Sequence, residues 1–127
     1  MPEKTEYIAA KGIVVITYTG KVTIAEAREA TVKAIAIQDE QQTNWVVIDA
    51  WDMTAGPSVT DLWELVQSYP ELEVPRQTRL AVVRPEARDR KDLTGFFEVI
   101  CQNRCYNAKG FHTREAAEHW VLSEQMG

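Results

Sequence analysis

Few residues in this chain combine the types and spacing that chemistry needs. If the chain forms an open α/β sheet, its strand ends carry Tyr18 and Thr19, Asp49 and Asp52, Arg84, and His112, on the rim where ligands of such sheets bind. Asp49, Arg84 and His112 on one rim would offer a base, a cation and an acid. The plainer reading is stronger. A strand-end Asp accepts backbone N–H groups of the following loop, and a His near a helix start is a loop residue. No catalytic residue is assigned, and the chain is not read as an enzyme. Cys101 and Cys105 lie one helical turn apart with His112 beyond, which leaves a metal site short of a fourth ligand. Neither cysteine belongs to a Cys-X-X-Cys or Cys-His arrangement, so nucleophilic catalysis has no support. Thr19-Gly20-Lys21 is too short for a phosphate loop, and no dinucleotide fingerprint occurs. No metal and no cofactor is expected.

The passage Asn44-Trp-Val-Val-Ile-Asp49 is the most informative one. A short apolar strand ends in a carboxylate, a Gly56-Pro57-Ser58 loop follows, and the next helix opens on a hydroxyl. Ser58 with Asp61 has the spacing of an N-cap, in which the hydroxyl satisfies a backbone N–H of the first turn.

The surrounding elements follow from periodicity and from turn residues. Tyr7 to Ala9 and Ile13 to Tyr18 read as a hairpin, because Gly12 between them can take positive φ. Thr23 with Glu26 is spaced as a capping box, so a helix begins there. Its apolar positions Ile24, Ala27, Ala30, Ala34 and Ile35 are mostly small, which lets it approach a sheet closely, and the polar stretch Gln38 to Asn44 ends it. Trp45 to Ile48 and Leu80 to Val83 are continuous apolar runs, as expected of strands covered on both faces. Between them Ser58 to Ser68 reads as a helix with Leu62, Leu65 and Val66 inward, stopped at Tyr69-Pro70. A charged loop, Glu86 to Asp92, precedes a third helix whose stripe is Leu93, Phe96, Phe97, Ile100 and Cys101. Cys101 is thus a small core residue. Asn107 to Phe111 is a last strand, and Thr113 caps a final helix with Ala116, Ala117, Trp120 and Val121 inward. The order β-β-α-β-α-β-α-β-α predicts an α/β domain with a largely parallel sheet, an antiparallel edge strand from the hairpin, and helices packed on the sheet.

At 127 residues the chain is the size of one domain. Its 45% hydrophobic and 26% charged residues suit a soluble globular protein. A net charge of -5 and no basic stripe argue against sequence-independent nucleic-acid binding, which needs many Lys or Arg. No apolar run is long enough to span a bilayer, and Met1 to Glu6 lacks the apolar core of a signal peptide. A cytoplasmic location with reduced thiols is expected.

The four tryptophans divide. Trp45 opens a buried strand and Trp120 falls on an inward stripe, whereas Trp51 follows Asp49 in a loop without periodicity, and Trp63 stands next to the inward Leu62. Exposed aromatic residues often mark interfaces, because they bury much area at small entropic cost. Burial of both beneath the 86 to 92 loop is an equal alternative.

The leading hairpin with Gly20 after its second strand, the Trp-Val-Val-Ile-Asp49 strand and the helix starting near Ser58 resemble the SpoIIAA-like fold of STAS domains. These include anti-sigma-factor antagonists and the cytoplasmic parts of sulfate transporters. The tail, Phe97-Glu-Val-Ile-Cys-Gln-Asn-Arg104 followed by Phe111-His-Thr-Arg-Glu-Ala-Ala-Glu-His-Trp120, is similar to a bacterial STAS/SEC14-like group. The resemblance implies one SpoIIAA-like domain over residues 1–127, a non-enzymatic protein-interaction or regulatory module. Its surface would be the loop and helix start at 49 to 63, with Asp49, Trp51, Asp52, Ser58, Thr60 and Trp63 facing a protein partner of unknown identity. A homodimer is compatible with this. The SEC14 side implies an alternative, a carrier or sensor of an apolar small molecule or lipid held between sheet and helices. In the phospho-switch members a serine of an Asp-Ser-Ser-Gly start is phosphorylated, and Ser58 falls at the corresponding place. Here Pro57 replaces the acid, and Val59 and Thr60 replace the following Ser and Gly, so Ser58 is read first as a cap. Cys105 stands where the group has a helix-ending Gly.

Overall fold

The computed structural model describes residues 3–85, 91–104 and 106–123, with the backbone alone for residues 91–94 and 96. Its elements are β1 (Glu3–Ile8), β2 (Ile13–Lys21), α1 (Ile24–Gln41), β3 (Trp45–Ala55), α2 (Val59–Gln67), β4 (Arg79–Val83), α3 (Lys91–Asn103), β5 (Asn107–Phe111) and α4 (Arg114–Ser123). The strands lie side by side in chain order as one sheet. β1 pairs antiparallel with β2, and every later pairing is parallel. The α/β class and the antiparallel edge agree with the sequence reading, and Trp45–Asp49 and Arg79–Val83 are neighbouring parallel strands.

Local chemistry explains the boundaries. Gly12 closes the hairpin at φ +69, a conformation that costs a residue without Cβ little. The capping box at α1 is reciprocal: Thr23 Oγ1 accepts from Glu26 N–H at 3.2 Å, and Glu26 Oε1 accepts from Thr23 N–H at 2.8 Å. α1 runs to Gln41 and ends on Gln42 in the left-handed region. Gln38, read from sequence as part of the polar ending, is buried and donates to Thr78 Oγ1 at 2.9 Å. Tyr69 ends the α2 region as a buried ring, edge-on to Tyr106. Thr113 Oγ1 accepts from Ala116 N–H and caps α4.

The sheet separates two cores. On one side α1, α2 and α3 bring Ala27, Ala30, Ala34, Leu65, Val66, Phe97, Ile100 and Cys101 against Val14, Ile16, Val46, Leu80 and Val82. On the other, α4 brings Ala117 and Val121 against Ile13, Val15, Val47, Ala81 and Val83. Ala116, expected inward, is exposed, and Ala117 and Val121 carry that face. Leu93 and Phe96 of the expected α3 stripe, and the whole of the charged 86 to 92 loop, lie outside the described side chains.

Candidate functional site

The region after Asp49 differs from its sequence reading, and the register shows why. Thr17 pairs with Asp49 and Thr19 with Asp52, so two steps along β2 meet three along β3. A second extra residue falls between the pairs Gly20 with Met53 and Lys21 with Ala55. These bulges interrupt the alternation that announces a strand. β3 therefore continues to Ala55, Trp51 lies on a strand and not in a loop, and the connection to α2 is only residues 56–58. Pairing with β4 stops at Asp49 opposite Val83. Beyond it, β2 is the only described strand neighbour of β3.

Asp49 sits on the α4 side. Its Oδ1 accepts from Trp51 N–H at 3.1 Å, and its Oδ2 lies 3.5 Å from the Arg114 guanidinium. Arg114 in turn holds Glu118 at 2.8 Å, and Lys11 of the hairpin turn also pairs with Glu118. Asp49 thus fastens β3 to α4. Ala50 and Met53, three positions apart across the bulged stretch, both point into the opposite core. Trp51 is 41% exposed, and Asp52 is exposed beside it. Ser58 is the N-cap of α2, its Oγ accepting from Asp61 N–H at 3.1 Å. Val59 and Trp63, one helical turn apart, are 44% and 48% exposed, and Thr60 is exposed between them. The six residues singled out by sequence thus divide between β3 (Asp49, Trp51, Asp52) and the start of α2 (Ser58, Thr60, Trp63), before and after the 56–58 connection.

Asp49, Arg84 and His112 do not form a unit among the described residues. Arg84 lies across Gly110, where an added Cβ would stand 2.7 Å from its Nε. Its Nη2 donates to Glu98 at 3.3 Å, and Glu98 also accepts the Gly110 N–H at 3.0 Å. His112 is exposed. Cys101 is fully buried, and desolvation pushes its thiol up to about 12, so it stays protonated and unreactive at neutral pH. Cys105 lies outside the described residues. Among those described, no three His, Cys, Asp or Glu side chains gather as a metal centre requires.

The residues alone do not announce an apolar cavity of about 80 Å³ between the sheet and α1 to α3, although the SEC14 side of the resemblance implies a ligand between sheet and helices. Ala27 and Ala34 of α1, Ala50 and Met53 of β3, and Pro57 and Leu62 at the start of α2 border it. Tyr18 and Tyr69 also line it. Burial raises both phenols well above their ordinary value, and the Glu3 carboxylate adds to the effect at Tyr18. The available signal was the run of alanines on α1. Small side chains that let a helix approach also leave room when the facing residue is small.

No described helix is long and apolar enough to cross a membrane. Solved structures share the fold, two of them as follows. One is an uncharacterized protein of the DUF3478 family with a SpoIIAA-like fold from Shewanella loihica PV-4. It is 16% identical, with a TM-score of 0.59 over 94% of this chain and 91% of that one. The other is the anti-sigma factor antagonist SpoIIAA in its unphosphorylated form, 13% identical, with a TM-score of 0.55 over 98% of each chain. No curated protein matches the sequence. The SpoIIAA-like family model matches residues 13–122, from the first residue of β2 almost to the end of α4, and the chain belongs to that family.

Proposed function

We propose that this is a non-enzymatic, cytoplasmic regulatory module that binds a protein partner around the Gly56-Pro57-Ser58 loop. The observation that carries the reading is the exposure of Trp51 and Trp63, at 41% and 48%, on the two elements that the loop joins. Large aromatic side chains left in water on either side of a short turn suit a partner that straddles it. Asp52, Thr60 and the Ser58 cap supply a polar rim, and the stretch of β3 after Asp49, which among the described residues pairs with β2 alone, offers backbone groups at its other edge. Asp49 belongs to this site only through Arg114, as a support for the strand. The similarity to an anti-sigma factor antagonist supports a regulatory role without naming the partner.

Affinity capture from the native host, followed by titration of the recovered partner with Trp51→Ala and Trp63→Ala, tests the reading. Each variant should fold as the parent does and lose about tenfold or more in affinity, the scale of an interface hot spot. Loss of stability in step with loss of binding would assign the tryptophans to packing instead.

A second reading, a carrier or sensor of an apolar small molecule, is favoured by the cavity beneath α2. It does not compete for the same surface, because Leu62 and Pro57 face the cavity while Trp63 faces solvent.

A further inference from the structure

The second reading leaves the ligand's class open, and the cavity narrows it. Not one of the residues lining it carries a charge: they are aliphatic and aromatic side chains with Thr31, Gln38, Tyr18 and Tyr69 as the polar exceptions. Two of these four are already engaged. Thr31 Oγ1 donates to Ala27 O at 2.9 Å, and Gln38 donates to Thr78 at 2.9 Å. The phenols of Tyr18 and Tyr69 remain as groups able to meet one polar atom of a guest. An ionised group placed here would lose its water with no opposite charge to receive it, which is far more costly than burying a neutral hydroxyl.

Size narrows the class again. An engineered cavity of about 150 Å³ holds benzene, so a space of about 80 Å³ takes a molecule smaller than that ring while α2 stays in place. Long acyl chains exceed the size limit, and charged lipid head groups fail both.

From this geometry we infer that the cavity between α1, α2 and the sheet binds a small uncharged molecule, apolar but for one hydroxyl or carbonyl, and excludes carboxylates and lipids. The inference rests on the second reading and specifies its ligand. The α2 start forms part of the wall through Pro57 and Leu62, so such a guest lies directly behind the loop proposed to meet the partner.

The test uses the full chain, isotope-labelled, titrated at neutral pH with 1-propanol and separately with propionate, which match in length and differ in charge. Propanol should give saturable shifts in methyl signals of Ile16, Ala27, Leu62 and Val82, and propionate should bind at least about tenfold more weakly. Ala34→Leu fills the space from α1 and Ala50→Leu fills it from the sheet. In whichever variant keeps the parent spectrum elsewhere, the propanol shifts should vanish. Propionate binding as well as propanol would overturn the uncharged class and leave the second reading standing. Shifts that persist in a folded, filled variant would overturn the location. No saturable shift with propanol would overturn the inference and the second reading together.

Discussion

The two faces of the sheet are built from similar residues and packed to different completeness. Against α4, Ile13, Val15, Val47, Ala81, Val83, Ala117 and Val121 are at most 1% exposed, branched side chains of the sheet filling the space over small and branched ones of the helix. Against α1 to α3 the core is larger, yet it retains about 80 Å³ of space whose lining includes Ala27 and Ala34 of α1 and Ala50 of β3. Interiors are normally packed as densely as organic crystals, so small side chains along such a wall leave volume that nothing fills. The α4 face therefore serves the fold. The α2 face keeps room for something else.

The largest expected effect lies on the looser face. Phe97 of α3 is 8% exposed and borders the cavity, so Phe97→Ala both removes an aromatic ring and enlarges a space that already exists. Denaturant unfolding should show a loss of about 3–5 kcal/mol. A loss near zero would mean that the ring gains little from packing beside the cavity, and the two faces would then differ even more in completeness of packing.

Adding volume sharpens the contrast directly. Ala117→Val inserts two methyl groups where the residue is fully buried and surrounded, and should cost about 1–3 kcal/mol by overpacking. Ala50→Val inserts the same groups next to free space, and should be close to neutral, within about 0.5 kcal/mol. Equal costs at the two positions would show that the α2 face is no looser than the other.

Much of this architecture was legible before any coordinates. Continuous apolar runs at 45–48 and 80–83 announced doubly covered strands, and the Thr23, Ser58 and Thr113 caps sit where their spacing placed them. The stretch from Ala50 to Ala55 was not legible, because two bulges break the alternation on which strand reading depends. Gln38 looked like part of a polar helix end, since its buried partner Thr78 is distant in sequence and close only in the fold. The cavity was illegible for a related reason: the alanines of α1 were visible, but whether a large or small residue faces them is set by tertiary packing. Of the candidate site, the residue types were readable and their arrangement on two sides of a loop was not.

Smaller effects are expected at the α2 start. Ser58→Ala removes the acceptor for Asp61 N–H and should cost about 0.5–2 kcal/mol, with Ser58→Asp restoring most of it because Asp also caps. Partner affinity for the Asp variant at matched stability separates a cap from a phospho-switch. Unchanged affinity is expected, since Pro57 and Val59 stand where switch proteins carry other neighbours. A changed affinity in a variant that folds normally would make Ser58 a regulated position, as added charge would then alter the interface without unfolding the helix.

The smallest effect should be at Glu118, on the tightly packed face. Burial alone would raise its carboxyl pKa, but hydrogen bonds and charge from Lys11 and Arg114 outweigh that and hold it below the ordinary 4.5. Because these contributions oppose one another, the net stabilisation is modest. A depressed folded-state pKa contributes stability that is present above the unfolded value and is lost as pH falls through the folded one. The parent should therefore lose part of its stability as pH drops from about 4.5 downward, and Glu118→Gln should flatten that part of the profile. Hydrogen exchange adds the regional comparison. Acid should loosen α4, which Glu118 links to the hairpin turn through Lys11 and to Asp49 through Arg114, before it loosens α2. Loosening of α2 first would show that the void-bearing face, and not this ion network, sets the acid limit of the fold.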